Sequence, residues 1–365
     1  MEKKKILIFM PTMNTGGVEK NLINIANYLI KKYDDISIIT LSKNYQKKFD
    51  KRIRFISLRL KLINYISKRK KFLLCLYLLF LQILKNKNVI VLCFQGNIYC
   101  TILCKILGIK IIVRSNTSPD GWSKNLFKFF CYKYILSLAN TVIVNSLEFK
   151  KKIKSKFNID AVCIYNPLDV KEITRKSNIK QKIKFDKTKL NLINVARLVD
   201  QKDHMTLLKA VNRIKKLIDF NLLIIGEGEK KRELKYYINK NDLYKNVKLL
   251  GNKKNPFNLI KSSDIFILTS LYEGLPNVLL EAQALKTFII STNCPTGPKE
   301  ILLNGKAGSI FNVGDYKKLS KLILNFSKYQ ARYLKMKNIG YKNLFRFNYR
   351  ANMEKYVKEI DLVLK

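Results

Sequence analysis

Short runs of β-branched residues alternate with longer helical patterns along almost the whole chain, and this alternation most constrains the fold. In the first half, strands are predicted at 6–10, 36–41, 89–94, 109–113, 141–144 and 162–165. Helical stretches fall between several of them; in 18–30, Leu22, Ile25, Ala26 and Leu29 recur at helical spacing. Apolar density drops over 171–189, which reads as a linker. The alternation then restarts, with strands at 190–195, 221–225, 247–249, 265–269 and 288–291 and helices at 205–216, 230–239, 277–285 and 316–326. Such a pattern predicts an α/β protein whose parallel sheets carry helices on both faces. Its 365 residues fit two domains. The reading is therefore a doubly wound domain at 1–170, a second at 190–345, and a C-terminal helix at 346–365 returning to the first. In such sheets ligands sit at the carboxyl ends of strands, so the active site is expected in a cleft between the domains.

Charge narrows the partners. Lys and Arg number 71 against 26 Asp and Glu, a formal +45 at pH 7. Anionic partners suit such a balance: nucleic acid, anionic lipid or phosphorylated metabolites. Compositional bias also accounts for it, since Lys, Ile and Asn are all abundant. A nucleic-acid-binding protein is the rival that net charge suggests. However, Lys is spread along the chain rather than concentrated with aromatics on one element, so no specific nucleic acid is expected. Seven cysteines without a CxxC pair argue against a disulfide framework or zinc ribbon and favour a reducing cytosol. The single histidine, His204, makes a His-rich metal site improbable, and it is expected to cap a helix or lie at the surface.

The N-terminus, MEKKK before a short apolar run, lacks the pattern of a signal peptide. The apolar run FLLCLYLLFLQIL at 72–84 lies between Lys68-Arg69-Lys70-Lys71 and the pair Lys85 and Lys87. It is about 13 residues long, short of the roughly 20 a spanning helix needs. It reads either as a buried core helix or as a helix in the headgroup plane with its basic flanks on anionic lipid.

Four segments at predicted strand ends carry candidate chemistry. After the first strand comes Pro11-Thr12-Met13-Asn14-Thr15-Gly16-Gly17, where adjacent glycines and a helix N-terminus can admit an anion. It is neither a GxGxxG fingerprint nor a P-loop. After the first strand of the second half come Arg197 and Lys202, able to clamp a diphosphate by fork and by point charge. Gly226-Glu227-Gly228 forms a tight turn after the next strand. The most informative string is Ser270-Leu271-Tyr272-Glu273-Gly274-Leu275-Pro276-Asn277-Val278-Leu279-Leu280-Glu281-Ala282. Here Glu273 is predicted in the strand-end loop, Pro276 in a helix's first turn and Glu281 in its second. Carboxylates suit sugar and ribose hydroxyls, and the amides between them suit phosphate.

The Glu273/Glu281 pair resembles the E-x7-E signature of retaining glycosyltransferases of the GT-B fold, in the GT4 group. The run Ser291-Thr292-Asn293-Cys294-Pro295-Thr296-Gly297-Pro298-Lys299-Glu300-Ile301-Leu302 is similar to the segment that follows it in bacterial members acting on surface glycans. The resemblance implies two Rossmann-like domains facing across a cleft, and these roles. Gly16 and Gly17 admit the donor diphosphate or the acceptor. Arg197 and Lys202 neutralise the leaving diphosphate, Glu273 holds the donor sugar, and the backbone of Gly274, Leu275, Pro276, Asn277 and Val278 meets phosphate. Glu281 binds the ribose. No metal and no cofactor beyond a UDP-sugar co-substrate is implied, because cations stabilise the developing charge.

The expected acceptor is a glycan, lipid-linked through polyprenyl diphosphate, at the cytoplasmic face of the membrane. A phosphorylase or epimerase relative is the alternative within the same fold. Two positions depart from the family pattern. Ala196 replaces the Gly of a G-R-L motif, and Arg114-Ser115-Asn116-Thr117-Ser118-Pro119 stands where many relatives carry a histidine. Ser115 or Asn116 would take that polar contact.

Overall fold

The computed structural model describes every residue except 1–4, 14–15, 59–65, 117–125, 180–184 and 187. Two compact units emerge, one from Met1–Pro167 with Tyr349–Lys365, the other from Leu168–Asn348. The first contains β1 (Lys5–Phe9), α1 (Gly17–Leu29), β2 (Ile36–Ile39), β3 (Arg54–Ile56), α2 (Lys68–Lys85), β4 (Val89–Cys93) and α3 (Asn97–Ile106). It continues through β5 (Lys110–Arg114), α4 (Leu126–Ser137), β6 (Thr141–Val144), α5 (Leu147–Phe157) and β7 (Val162–Cys163). Its seven-stranded sheet runs β3-β2-β1-β4-β5-β6-β7, all parallel. The strands alternate side chains between two cores. Leu7, Val91, Ile111 and Val113 face one helical layer, while Ile6, Ile8, Ile90 and Ile112 face the other.

The second unit contains α6 (Val170–Ser177), β8 (Leu190–Val195), α7 (His204–Ile214), β9 (Phe220–Ile225), α8 (Lys231–Lys240), β10 (Val247–Leu249) and α9 (Phe257–Lys261). Then come β11 (Ile265–Leu268), α10 (Asn277–Ala284), β12 (Phe288–Thr292), α11 (Pro298–Ile301), β13 (Ser309–Phe311), α12 (Tyr316–Lys328) and α13 (Gln330–Lys342). The six parallel strands lie in the order β10-β9-β8-β11-β12-β13. α14 (Tyr349–Leu364) closes the chain and packs with α1 in the first unit, burying Met353, Tyr356 and Ile360. Each unit is thus a doubly wound, Rossmann-like α/β domain.

Several elements differ from the sequence reading, and α9, α11 and α13 fall where it places no helix. β3 and β13 are edge strands of three residues, too short to show alternation. The segment read as a linker at 171–189 opens with a helix instead. Asp169 caps α6 by accepting from Glu172 N at 2.9 Å, and Ile173 is buried. So narrow an apolar stripe lowers the hydrophobic density without ending the helix. Residues 180–184 and 187 of that segment lie outside the described residues. The run at 72–84 belongs to α2, whose inner side (Cys75, Leu79, Ile83) joins the core. Among the described residues no helix is long and apolar enough to cross a membrane.

Candidate functional site

In each sheet the strand order reverses at one point, between β1 and β4 in the first unit and between β8 and β11 in the second. Loops leaving the carboxyl ends of such a strand pair diverge to opposite faces and open a crevice, where doubly wound sheets take ligands. In the second unit β8 and β11 are direct neighbours, with Ile193 opposite Phe266. Two loops whose key residues are 71 positions apart therefore leave the sheet side by side.

Across these loops Lys202 Nζ donates to Glu273 Oε1 in a largely buried ion pair, the side chains 14% and 8% exposed. Ser270 Oγ donates to the same oxygen at 2.7 Å. A buried carboxylate is costly unless paired and hydrogen-bonded, and here both donors converge on one oxygen. The loops are also fastened through backbone. Leu271 N donates to Gln201 O at 2.8 Å, Gln201 Nε2 to Tyr272 O at 2.8 Å, and Thr269 Oγ1 to Lys202 O at 2.9 Å.

On the other side Glu273 N donates to Pro295 O at 2.7 Å, and Thr296 N donates back to Glu273 O at 3.2 Å. Gly297 closes this clamp at φ +91°, where an added Cβ would lie 2.1 Å from Gly274 O. Only glycine fits so close to that carbonyl. Cys294, in the same clamp, is buried, and its thiol is pushed up to about 12 by burial and by the Glu273 charge.

Arg197 is exposed on the loop after β8, with no ion pair to a described residue. Ala196 before it has no positive φ, so a residue with a Cβ in place of Gly brings no strain there. Its neighbour is the turn at Gly226-Glu227-Gly228, since Ala196 N donates to Ile225 O and Leu198 N to Glu227 O, at 3.0 and 2.9 Å. Pro276 sits at the N-cap of α10 rather than inside its first turn, and no side chain caps that end. Leu275 and Pro276 are buried, whereas Asn277 and Val278 are half-buried. Glu281 falls in the second turn of α10 and is buried.

His204 departs from expectation. It neither caps α7 nor lies at the surface: Asp203 is the cap, accepting from Thr206 N at 3.1 Å, and His204 is 3% exposed. Nε2 has no hydrogen-bond partner among the described residues. Burial, helped by the Lys202 charge, lowers its pKa to about 4.

The first unit brings the other candidates to the carboxyl ends of β4 and β5. Ser115 and Asn116 line a cavity of about 320 Å³ together with Phe94, Gln95, Asn97, Tyr99 and Tyr132. Asn97 Nδ2 donates to Ser115 Oγ at 3.1 Å, and Asn116 Nδ2 to Phe94 O at 3.2 Å. The sequence reading missed Gln95 and Asn97. Their signal was a glycine, Gly96, between a strand end and a helix, the same cue that singled out Gly16.

Gly16 and Gly17 are exposed at the start of α1, and Glu19 in its first turn is buried close to Gly16. Asn14, Thr15, Thr117, Ser118 and Pro119 lie outside the described residues. Arg114, beside Ser115, is wholly buried and also lines the cavity. Its Nε donates to Tyr356 Oη and its Nη2 to Asn166 Oδ1, both at 2.7 Å, while Nη1 has no partner among the described residues.

Known families divide the chain as the two units do. "Glycosyltransferase Family 4" matches residues 15–172 and "Glycosyl transferases group 1" matches residues 175–343. An uncharacterized glycosyltransferase of Methanocaldococcus jannaschii is 36% identical over 197 residues, a match covering 51% of this chain and about half (48%) of that protein. The N-acetylgalactosamine-N,N'-diacetylbacillosaminyl-diphospho-undecaprenol 4-alpha-N-acetylgalactosaminyltransferase of Campylobacter jejuni is 27% identical, over 85% of this chain and 86% of its own. The crystal structure of Anabaena HepE in complex with UDP superposes with a TM-score of 0.79 at 15% identity, over 98% of this chain and 99% of that one. Two doubly wound units, each under its own consecutive family match, show that the chain belongs to the GT-B glycosyltransferases of the family 4 and group 1 type.

Proposed function

We propose that this glycosyltransferase moves a hexose or N-acetylhexosamine from a UDP-sugar to a growing, lipid-linked surface glycan, with retention of anomeric configuration. The observation that carries this reading is the Lys202–Glu273–Ser270 cluster at the β8/β11 reversal. Lys202 and Ser270 fix one oxygen of Glu273, and the other accepts from neighbouring hydroxyls of the donor sugar. Since Lys202 is engaged by Glu273, Arg197 is the cation that meets the diphosphate, together with the N-terminal end of α10, whose dipole favours an anion. Glu281 takes the ribose. In the transfer the bond from the anomeric carbon to the diphosphate oxygen breaks. The acceptor oxygen bonds to that carbon from the same face, and its proton passes to the departing phosphate oxygen. No metal is assigned a role.

The acceptor belongs to the cavity of the first unit, where Gln95, Asn97, Ser115 and Asn116 offer amide and hydroxyl groups and Tyr99 and Tyr132 offer ring faces. Glu19 near Gly16 disfavours a diphosphate at the entrance of α1 and favours a hydroxyl-bearing acceptor there. The reading of a UDP donor and an undecaprenol-linked acceptor draws on what the HepE structure holds and what the Campylobacter enzyme is named for. A protein working on such an acceptor would act at the cytoplasmic face of the membrane; among the described residues no helix is long and apolar enough to cross it.

The test is nucleotide release from a panel of UDP- and GDP-sugars, with the product anomer read by NMR. Glu273→Gln is expected to lower turnover by roughly a hundredfold, the scale of losing one positioned polar group, while UDP still binds. Arg197→Ala is expected to weaken UDP binding itself. Unchanged turnover in both variants removes the site assignment, and an inverted anomer removes the retaining mechanism.

A further inference from the structure

α2, α3 and α4 form one helical layer, α2 against α3 and α3 against α4, over the same face of the seven-stranded sheet. Cys75, Cys100 and Leu136 turn inward to the core. The outward side of a surface helix is ordinarily polar. Here it carries Leu73 and Tyr77 on α2, Tyr99 and Ile106 on α3, and Phe130 and Tyr134 on α4, all exposed, Ile106 to 76%. Isolated exposed apolar residues need no explanation, but rows of them on three adjacent helices do.

The charge of this region is nearly of one sign. From residue 51 to 147 the chain has seventeen Lys and Arg and a single acidic residue, Asp120. Lys68, Arg69 and Lys70 are exposed where α2 begins, Lys85 where it ends, and Lys105 near the end of α3.

We propose that this three-helix face docks onto a bilayer surface containing anionic lipid. An apolar, tyrosine- and phenylalanine-bearing centre with a cationic rim matches the acyl boundary and headgroups of such a surface. A second copy of the chain would bring like charges together, with no acidic residue on the three helices to answer them. Nucleic acid would leave the apolar centre unsatisfied. Tyr99 belongs both to this face and to the lining of the cavity, so docking sets lipid beside the cavity that we assign to the acceptor. The docking itself stands on the face alone; only that link to the acceptor rests on the proposed function.

Vesicle flotation of the full chain tests it, with vesicles of phosphatidylglycerol and phosphatidylcholine against phosphatidylcholine alone. The wild type is expected to float with the anionic vesicles, and less so as salt rises. The triple variant Leu73→Glu, Ile106→Glu, Tyr134→Glu, all at exposed positions, is expected to lose at least roughly tenfold in partitioning. Leu217→Glu with Tyr236→Glu, at exposed positions of the second unit, is expected to float as the wild type does.

Equal flotation of the triple variant, or no wild-type binding at low salt, overturns the proposal. So does a triple variant that dissociates a dimer while still floating. Nucleotide release measured without vesicles is expected to stay at the wild-type level in the triple variant. Failure of the donor-site reading is thereby distinguished from failure of docking.

Discussion

His204 is held neutral by its surroundings, and because it is the only histidine its titration can be isolated. In the folded chain its pKa is lowered to about 4 from an ordinary 6.5, chiefly because burial disfavours the imidazolium and secondarily because Lys202 repels it. On acidification the unfolded chain takes up this proton near pH 6.5, while the folded chain resists until about pH 4. Stability is therefore lost as pH falls through that window. By pH 5 the loss relative to pH 7 is about 2 kcal/mol. Denaturant unfolding of the second unit between pH 7 and 5 is expected to show this slope, and His204→Gln is expected to abolish it. A slope that survives in the variant would assign the effect to other groups. A polar residue shortly after Lys202 reads from sequence as a cap or a surface group. Only the packed position of α7 shows that Asp203 takes the cap and that His204 turns inward.

Strand order decides what the elements bring together, and it is the part least visible in a linear pattern. Glu273 could be placed at a strand end and Glu281 in the second turn of a helix because both follow from a local string that holds a strand, a glycine turn and a proline-started helix. The pairing of Lys202 with Glu273 could not, because it depends on β8 lying beside β11 rather than beside β10. Gln95 and Asn97 were missed because amides in a strand-end loop have no spacing rule. β3, β13 and α6 fell below the length or apolar density that periodicity can register.

The β8 loop is also set by the turn after β9, and this can be tested. Gly226 has φ +153°, and a Cβ there would stand 1.8 Å from Ala196 O, a backbone atom with little freedom to move. Gly226→Ala is expected to displace the segment that carries Arg197 and Lys202. The strain is about 1–3 kcal/mol. A lower Tm together with at least roughly tenfold slower nucleotide release is the expected result. Normal turnover in a destabilised variant would show that the turn supports the fold without positioning the site.

At the scale of the molecule the chain leaves the first unit at Pro167 and re-enters it at Tyr349, so the first unit is discontinuous and the second is not. The re-entering helix is not an accessory. α14 buries Met353, Tyr356, Ile360 and Val363 in the core shared by β1, β2, β4 and α1. Its Tyr356 accepts from Arg114, a wholly buried cation for which no carboxylate is a hydrogen-bond partner among the described residues. Tyr28 donates to Glu354, and Tyr33 donates to Asp361 at 2.7 Å, fastening α14 to α1 and the residues after it. Burying four such side chains contributes roughly 6–12 kcal/mol. That is as large as the whole stability of a typical domain, about 5–15 kcal/mol, before the cost of stripping a partner from a buried guanidinium is added. A chain ending at Asn348 is therefore expected to lose the first unit's cooperative unfolding transition and keep the second's. Limited proteolysis should then leave a resistant fragment spanning roughly 168–348, the continuous unit that holds Lys202, Glu273 and Glu281. If the fragment still binds UDP, the donor site is confined to the second unit. If both transitions persist after truncation, α14 contributes far less to the first core than its buried face implies.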